Sequence, residues 1–246
     1  MCETCRIAER QRPAGPSRRL VLASFLASAA SAAVHSRAFA KHVGPPPKPQ
    51  NVVSPDAALK LLQGGNARYV AGLARRHDFK HEREALTGGQ NPFAGVLSCA
   101  DSRVAPEYAF DAGLGDLFLC RVAGNFTNDD VVASFEYAVA NLGTPLIMVL
   151  GHDACGALAA TLESLKDGTT LPGHLPSLVA SLAPAVKGSA GMPGDPLANA
   201  IRQNVLDNVA KLKSASPILD AAVAQGKLKV VGAVYRLATG RVEAVA

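Results

Sequence analysis

The chain contains no tryptophan, and aromatic residues make up only 5% of it. A pocket walled by an indole is therefore excluded. Long apolar runs are missing too: the stretch from Val21 to about Val34 is rich in Ala and Ser and falls short of the roughly 20 residues a bilayer crossing needs. No internal repeat and no glycine-rich phosphate loop is found, which argues against a nucleotide-using enzyme. Basic clusters are scarce as well. The net charge is +5 with a pI near 9.0, yet residues 1–40 hold six Arg against two Glu, which is +4 of that total and leaves +1 for the remainder. A nucleic-acid footprint needs Lys and Arg gathered on the folded domain, so no nucleic-acid partner is expected.

The basic residues that do exist are explained by a leader. Ser17-Arg18-Arg19-Leu20-Val21-Leu22 is a twin-arginine pattern, the Ala-rich apolar stretch follows it, and Ala38-Phe39-Ala40 supplies small residues for cleavage after Ala40. Residues 1–40 are thus read as an export signal that engages export machinery, leaving a periplasmic or otherwise exported protein with no membrane attachment after cleavage. Cys2 and Cys5 precede the leader and are read as incidental thiols lost with it. Residues 41–53, with Pro45-Pro46-Pro47 and Pro49, read as a stiff linker. The remaining 54–246 are long enough for one α/β domain, and 48% hydrophobic content supports a sizeable core.

The chemistry gathers in two short stretches of that domain. Cys99-Ala100-Asp101-Ser102-Arg103 is completed 53 residues later by His152-Asp153-Ala154-Cys155-Gly156. Cys and His are natural zinc ligands, and two Cys with one His make three where a closed structural site uses four; an open fourth position is what a catalytic zinc requires. Ala94 to Ser98 and Leu146 to Leu150 read as short buried strands, so Cys99 and His152 fall at strand C-terminal ends, where open α/β sheets build their sites. Residues 156–166 read as a helix with Leu158, Leu162 and Leu165 on one face. Cys155 then lies at its entrance, where the helix dipole favours a thiolate.

These stretches resemble the signatures of the β-class carbonic anhydrases, Cys-x-Asp-Ser-Arg and His-x-x-Cys, both intact here. The resemblance runs from about Ser54 to the C-terminus and takes in Leu62-Gln63-Gly64-Gly65-Asn66-Ala67-Arg68-Tyr69 and Tyr235-Arg236-Leu237-Ala238-Thr239-Gly240-Arg241-Val242. It implies Zn2+ on Cys99, His152 and Cys155, with Asp101 and Arg103 as the neighbouring catalytic dyad. It further implies substrate contacts from Gln90, Phe118 and Tyr137, Gln90 reaching across a dimer interface, and assembly as a homodimer or dimer of dimers. Phe118 and Tyr137 read equally well as a strand residue and a helix residue of the ordinary core. Some family members bind bicarbonate in a non-catalytic pocket built partly by a Trp and a Gly near the first zinc Cys; Val96 and Ser98 stand there in this chain, so no such regulation is expected.

The rest of the pattern is α/β. Ser54-Pro55-Asp56 starts a helix with Ala58, Leu61, Leu62, Tyr69 and Leu73 at helical spacing, interrupted by Gly64-Gly65. His77 and His81 stand four apart but among charges, which reads as a solvated face. Cys120 reads as a small buried hydrophobe. Helices are expected from Asp129 to Gly143 and after Asp195-Pro196, a surface loop rich in Gly and Pro, around any helix it contains, between residues 167 and 195, a strand from Leu228 to Tyr235 and an edge strand from Val242 to Val245. The order implies an α/β fold with a mostly parallel central sheet of about four strands flanked by helices, the architecture that the resemblance also implies.

The expected reaction is reversible hydration of carbon dioxide to bicarbonate and a proton by a zinc-bound hydroxide, since zinc brings the pKa of its water from 15.7 to about 7. Asp101 would accept the hydrogen bond that orients the hydroxide, held off the metal by the two-pronged guanidinium of Arg103. Two other readings stay open: hydrolysis of a sulfur analogue of carbon dioxide on the same scaffold, and a non-catalytic zinc module in which Asp101 closes the site.

Overall fold

In the computed structural model, residues 53–245 are described; the leader and most of the linker lie outside them. Ser54 caps the first helix, α1 (Pro55–Val70), its hydroxyl accepting from the Ala57 amide at 3.2 Å, and Pro55 fills the first turn, where no amide partner is needed. The sequence pattern suggested a break at Gly64-Gly65, but the helix runs straight through. Gly65 is there for a close approach: a Cβ at that position would lie 1.8 Å from the Phe110 carbonyl oxygen. Helical spacing also overstated the buried face. Ala58 and Leu62 are buried, whereas Leu61 is exposed and Leu73 lies beyond the helix end, also exposed.

A short helix α2 (Phe79–Ala85) and one turn, α3 (Pro106–Ala109), were not expected from the pattern, having too few residues to show a period. The strands were legible. β1 (Ala94–Ser98), β2 (Leu117–Arg121), β3 (Leu146–His152) and β4 (Lys229–Tyr235) pair in parallel, and β5 (Val242–Ala244) adds an antiparallel edge. The order is β2-β1-β3-β4-β5, five strands where about four were expected. Between β2 and β3 runs α4 (Asp129–Leu142), capped by Asn128 and closed by Gly143 in the left-handed region. After β3 come α5 (Gly156–Asp167), α6 (Leu175–Gly188), α7 (Pro196–Lys213) and α8 (Leu219–Ala224). The Gly- and Pro-rich stretch, expected as surface loop around any helix it contains, holds the 14-residue α6.

Alternation along the central strands divides the core in two. Leu97, Ile147 and Val149 point to the face covered by Phe135, Leu158, Leu182 and Leu212 from α4, α5, α6 and α7. Val96, Met148 and Leu150 point to the other, covered by Ala58 and Leu62 of α1 and by Ala109 and Phe110. Both faces being covered, β1 and β3 are buried at every residue and read as unbroken apolar runs. Each large side chain so buried contributes roughly 1.5–3 kcal/mol. On α5, Leu158 is buried and Leu165 is not, at 38% exposure, so the expected three-leucine face is narrower than its spacing suggested. With four parallel strands ending together, the loops after β1 and β3 meet at one edge of the sheet.

Candidate metal centre

Cys99 follows the last residue of β1, His152 is the last residue of β3, and Cys155 is the N-cap of α5. Because β1 and β3 are in register neighbours, with Ser98 beside Leu150, residues 53 apart in sequence converge. The two Sγ atoms and a His152 ring nitrogen all lie within 4.8 Å of one another, and the three residues are 4%, 0% and 1% exposed in the order Cys99, His152, Cys155.

The ring of His152 is fixed by its backbone surroundings. Nδ1 is 2.8 Å from the Asp153 carbonyl, which can only accept, so Nδ1 carries the proton and Nε2 is left with a lone pair. That Nε2 is buried and has no hydrogen-bond partner. Buried unpaired polar atoms are costly, and one facing two thiols has the chemistry of a metal ligand. Two Cys and one His thus fit a borderline-soft divalent cation.

The thiols do not ionise alike. Cys99 is lowered to about 4, first by the hydrogen bond from Cys155, with further help from His152 and from the Gly124 amide, which donates to Cys99 Sγ at 3.2 Å. Cys155 is pushed upward, first by facing Cys99 and then by burial. The two thiols are one coupled pair, and the shifts run in opposite directions because one shared site does not easily carry two negative charges. Burial lowers His152, but the neighbouring Cys99 more than offsets it, and the net shift is upward.

Asp101 is held beside the cluster by Arg103. Nε donates to Oδ1 at 2.9 Å and Nη2 to Oδ2 at 2.7 Å, and the Arg103 amide adds a third bond to Oδ1 at 2.9 Å. The guanidinium holds the carboxyl well below the usual carboxylate range. Arg103 is itself braced by the Ala154 carbonyl at 3.2 Å, and Ala154 adopts a positive φ of 51° to present it, a conformation costing about 1 kcal/mol for a non-glycine residue. Asp101 Oδ2 lies 3.9 Å from His152 Nε2.

Sequence reasoning missed the residue that shapes this loop. Arg121, at the end of β2, donates to the carbonyls of Cys99 at 3.0 Å, Asp101 at 2.9 Å and Val104 at 2.8 Å. Its signal was a lone charge closing an apolar strand. Gly124, in the turn after β2, has a φ of +86° and would place a Cβ 2.7 Å from Leu182, so a side chain there is strained. The other expected residues lie elsewhere in the chain. Phe118 is in register with Gly95, towards the start of β1, with its ring 6.5 Å from that of Tyr137, which is half exposed. Gln90 is exposed on the approach to β1. Cys120 is buried in β2, and burial pushes its thiol up. His77 is not on a solvated face: it is half-buried between Glu82, 3.2 Å away, and Asp111, 3.6 Å away, while His81 is exposed.

A parallel α/β sheet whose strand ends present a buried Cys2His cluster defines an α/β metalloprotein with its centre at the sheet edge. Residues 94–242 match the family model described as carbonic anhydrase, and the chain belongs to that family. Among relatives it is 42% identical to a carbonic anhydrase of Mycolicibacterium smegmatis over 191 residues, 77% of this chain and 93% of that one. It is 41% identical to carbonic anhydrase 2 of Mycobacterium tuberculosis over 189 residues, 76% and 91% of the two chains. Among solved structures it resembles the β-carbonic anhydrase CcaA, at 30% identity and a TM-score of 0.58 over 72% of this chain and 93% of that one. It also resembles tetrameric β-carbonic anhydrases of Sordaria macrospora, at 26% identity and a TM-score of 0.61 over 77% and 96% of the two chains. The fold and these relatives place it in the β class.

Proposed function

We propose that the chain catalyses the reversible hydration of carbon dioxide to bicarbonate at a zinc ion held by Cys99, His152 and Cys155. The observation that carries this reading is the buried, unpartnered Nε2 of His152 facing the two thiols. Zinc in that position supplies a Lewis acid that makes water a nucleophile near neutral pH. The protein does the rest. Cys99 and Cys155 neutralise the ion's formal charge, and the Gly124 amide and the Asp153 carbonyl fix the directions of Cys99 and His152. Arg103 occupies both oxygens of Asp101, which would keep that carboxylate off the metal and leave it to accept the hydrogen bond that orients the nucleophile. The burial of the three ligands keeps bulk water from competing for them.

Gln90, reaching across a subunit interface, and Phe118 and Tyr137, whose rings lie 6.5 Å apart, are proposed to line the substrate pocket. This requires a homodimer or a dimer of dimers. Residues 1–40 are proposed to direct export to the periplasm and to be removed. Mass spectrometry of the exported protein should give a chain starting near Lys41; an intact Met1 retained in the cytoplasm would sink that part. The activity is tested by stopped-flow hydration of carbon dioxide with the zinc-loaded mature chain, run beside a sulfur analogue. Rapid turnover of carbon dioxide is expected, and a bound zinc with no hydration of it would overturn the reading.

A further inference from the structure

Three side chains spaced four and three apart on α7, Asn204, Asn208 and Lys211, reach the loop that follows β2. Thr127 meets Asn208 twice, its amide donating to Oδ1 at 2.7 Å and its hydroxyl at 2.9 Å. A backbone amide can only donate, so the Asn208 atom facing it is the oxygen. The Asn208 NH2 then turns back to Asn204, 2.7 Å from its carbonyl and 3.1 Å from its Oδ1. That leaves the Asn204 NH2 on the Gly124 carbonyl, which can only accept, at 2.9 Å. Lys211 Nζ donates to the Thr127 carbonyl at 2.7 Å. The two ends of this ladder thus set the direction of every link, and Thr127, Asn204 and Asn208 are 5%, 2% and 6% exposed. Buried polar chains rigidify a structure when each member is satisfied.

The ladder ends on the residue that touches the metal centre. Gly124 accepts from Asn204 with its carbonyl and gives its amide to Cys99 Sγ at 3.2 Å. With φ at +86° and no side chain, it has nothing of its own to hold that amide in place. We infer that Asn204 and Asn208 are positioning residues of the metal centre: they fix Gly124, whose amide draws charge from the Cys99 thiolate and so limits what that ligand passes to the ion. This inference rests on the metal reading proposed above.

The test is the sulfur-to-metal charge-transfer band of the full chain loaded with cobalt(II), which reads the thiolate ligands without needing turnover. Losing a hydrogen bond raises the energy of the sulfur lone pairs. The band should therefore move to longer wavelength in Asn204→Leu and, less far, in Asn208→Leu. Hydration of carbon dioxide by the zinc form should fall about tenfold in Asn204→Leu, as when an outer partner of a metal ligand is lost. Val209→Ala opens a core cavity on the same helix and should lower the melting temperature with band and rate unchanged. If Asn204→Leu does not fold, Asn204→Ser removes the same donor, its hydroxyl being too short to reach Gly124, and should show the same shift. A band unmoved in the folded Asn204 variants, or moved equally by Val209→Ala, would overturn the inference. A parent chain without the band would overturn the metal reading itself, and this inference with it.

Discussion

At the scale of single residues, the arrangement turns on which partner Asp101 keeps. In the proposed reaction, Asp101 released from Arg103 would be a carboxylate beside the metal-ligating residues, competing with water for the ion; paired, it would leave that place open. Arg103→Lys preserves the charge but loses the fork that makes two parallel bonds, because an ammonium is a hydrated point charge. Zinc content and fold should be retained while the rising limb of activity against pH moves up, by about one unit if one good bond to the carboxylate is lost. Metal analysis, circular dichroism and a pH-rate series decide it, and superimposable profiles would refute the role. The three buried thiols should separate in the same assays. Cys99→Ala is expected to lose zinc and activity together, whereas Cys120→Ala should keep both and only destabilise the core, by about 1 kcal/mol for the small cavity.

At the scale of elements, two adjacent glycines in α1 make opposite predictions. Gly64 has room, the nearest atom to a Cβ being Arg68 Nη1 at 3.7 Å, so Gly64→Ala should gain about 0.5–1 kcal/mol from helix propensity. Gly65 packs on the Phe110 backbone, and Gly65→Ala must push α1 off the sheet, losing about 1–3 kcal/mol or more. Thermal melts of the pair test this directly; equal effects would mean that α1 does not pack as described. The sequence placed both residues as a helix interruption because propensity is local, while what Gly65 serves is a contact with a residue 45 positions away.

For the molecule as a whole, Asp111 is the anchor that joins the N-terminal helical region to the sheet. Its side chain is 2% exposed and accepts from Arg68 Nε at 2.6 Å and from the Arg75 amide at 2.9 Å, with φ at +46° to turn the chain. Burial alone would raise its pKa, but Arg68 and Arg75 outweigh that and the net shift is downward. A folded pKa below the unfolded value of about 3.9 means that the carboxylate stabilises fully above that pH and that the contribution is lost as pH falls through the folded value. Asp111→Asn should therefore destabilise at pH 7, by about 1–3 kcal/mol for lost charge-assisted bonds, and the gap from the parent should narrow in acid. Denaturant titrations at pH 7 and pH 3 measure it; a gap independent of pH would remove Asp111 from this role.

The sequence by itself determined the strands, the helix caps and the Cys99, His152 and Cys155 set that the fold gathers. Continuous apolar runs at Ala94–Ser98 and Leu146–Leu150, caps at Ser54 and Asp195, and the spacing of His152 and Cys155 are local features that local physics reads. Only the tertiary structure decided that Arg121 clasps three carbonyls of the Cys99 loop, that His77 is wedged between two acids, and that Gly65 meets the Phe110 backbone. Each of these depends on atoms brought together across a parallel sheet, whose register sets distances that no spacing along the chain encodes.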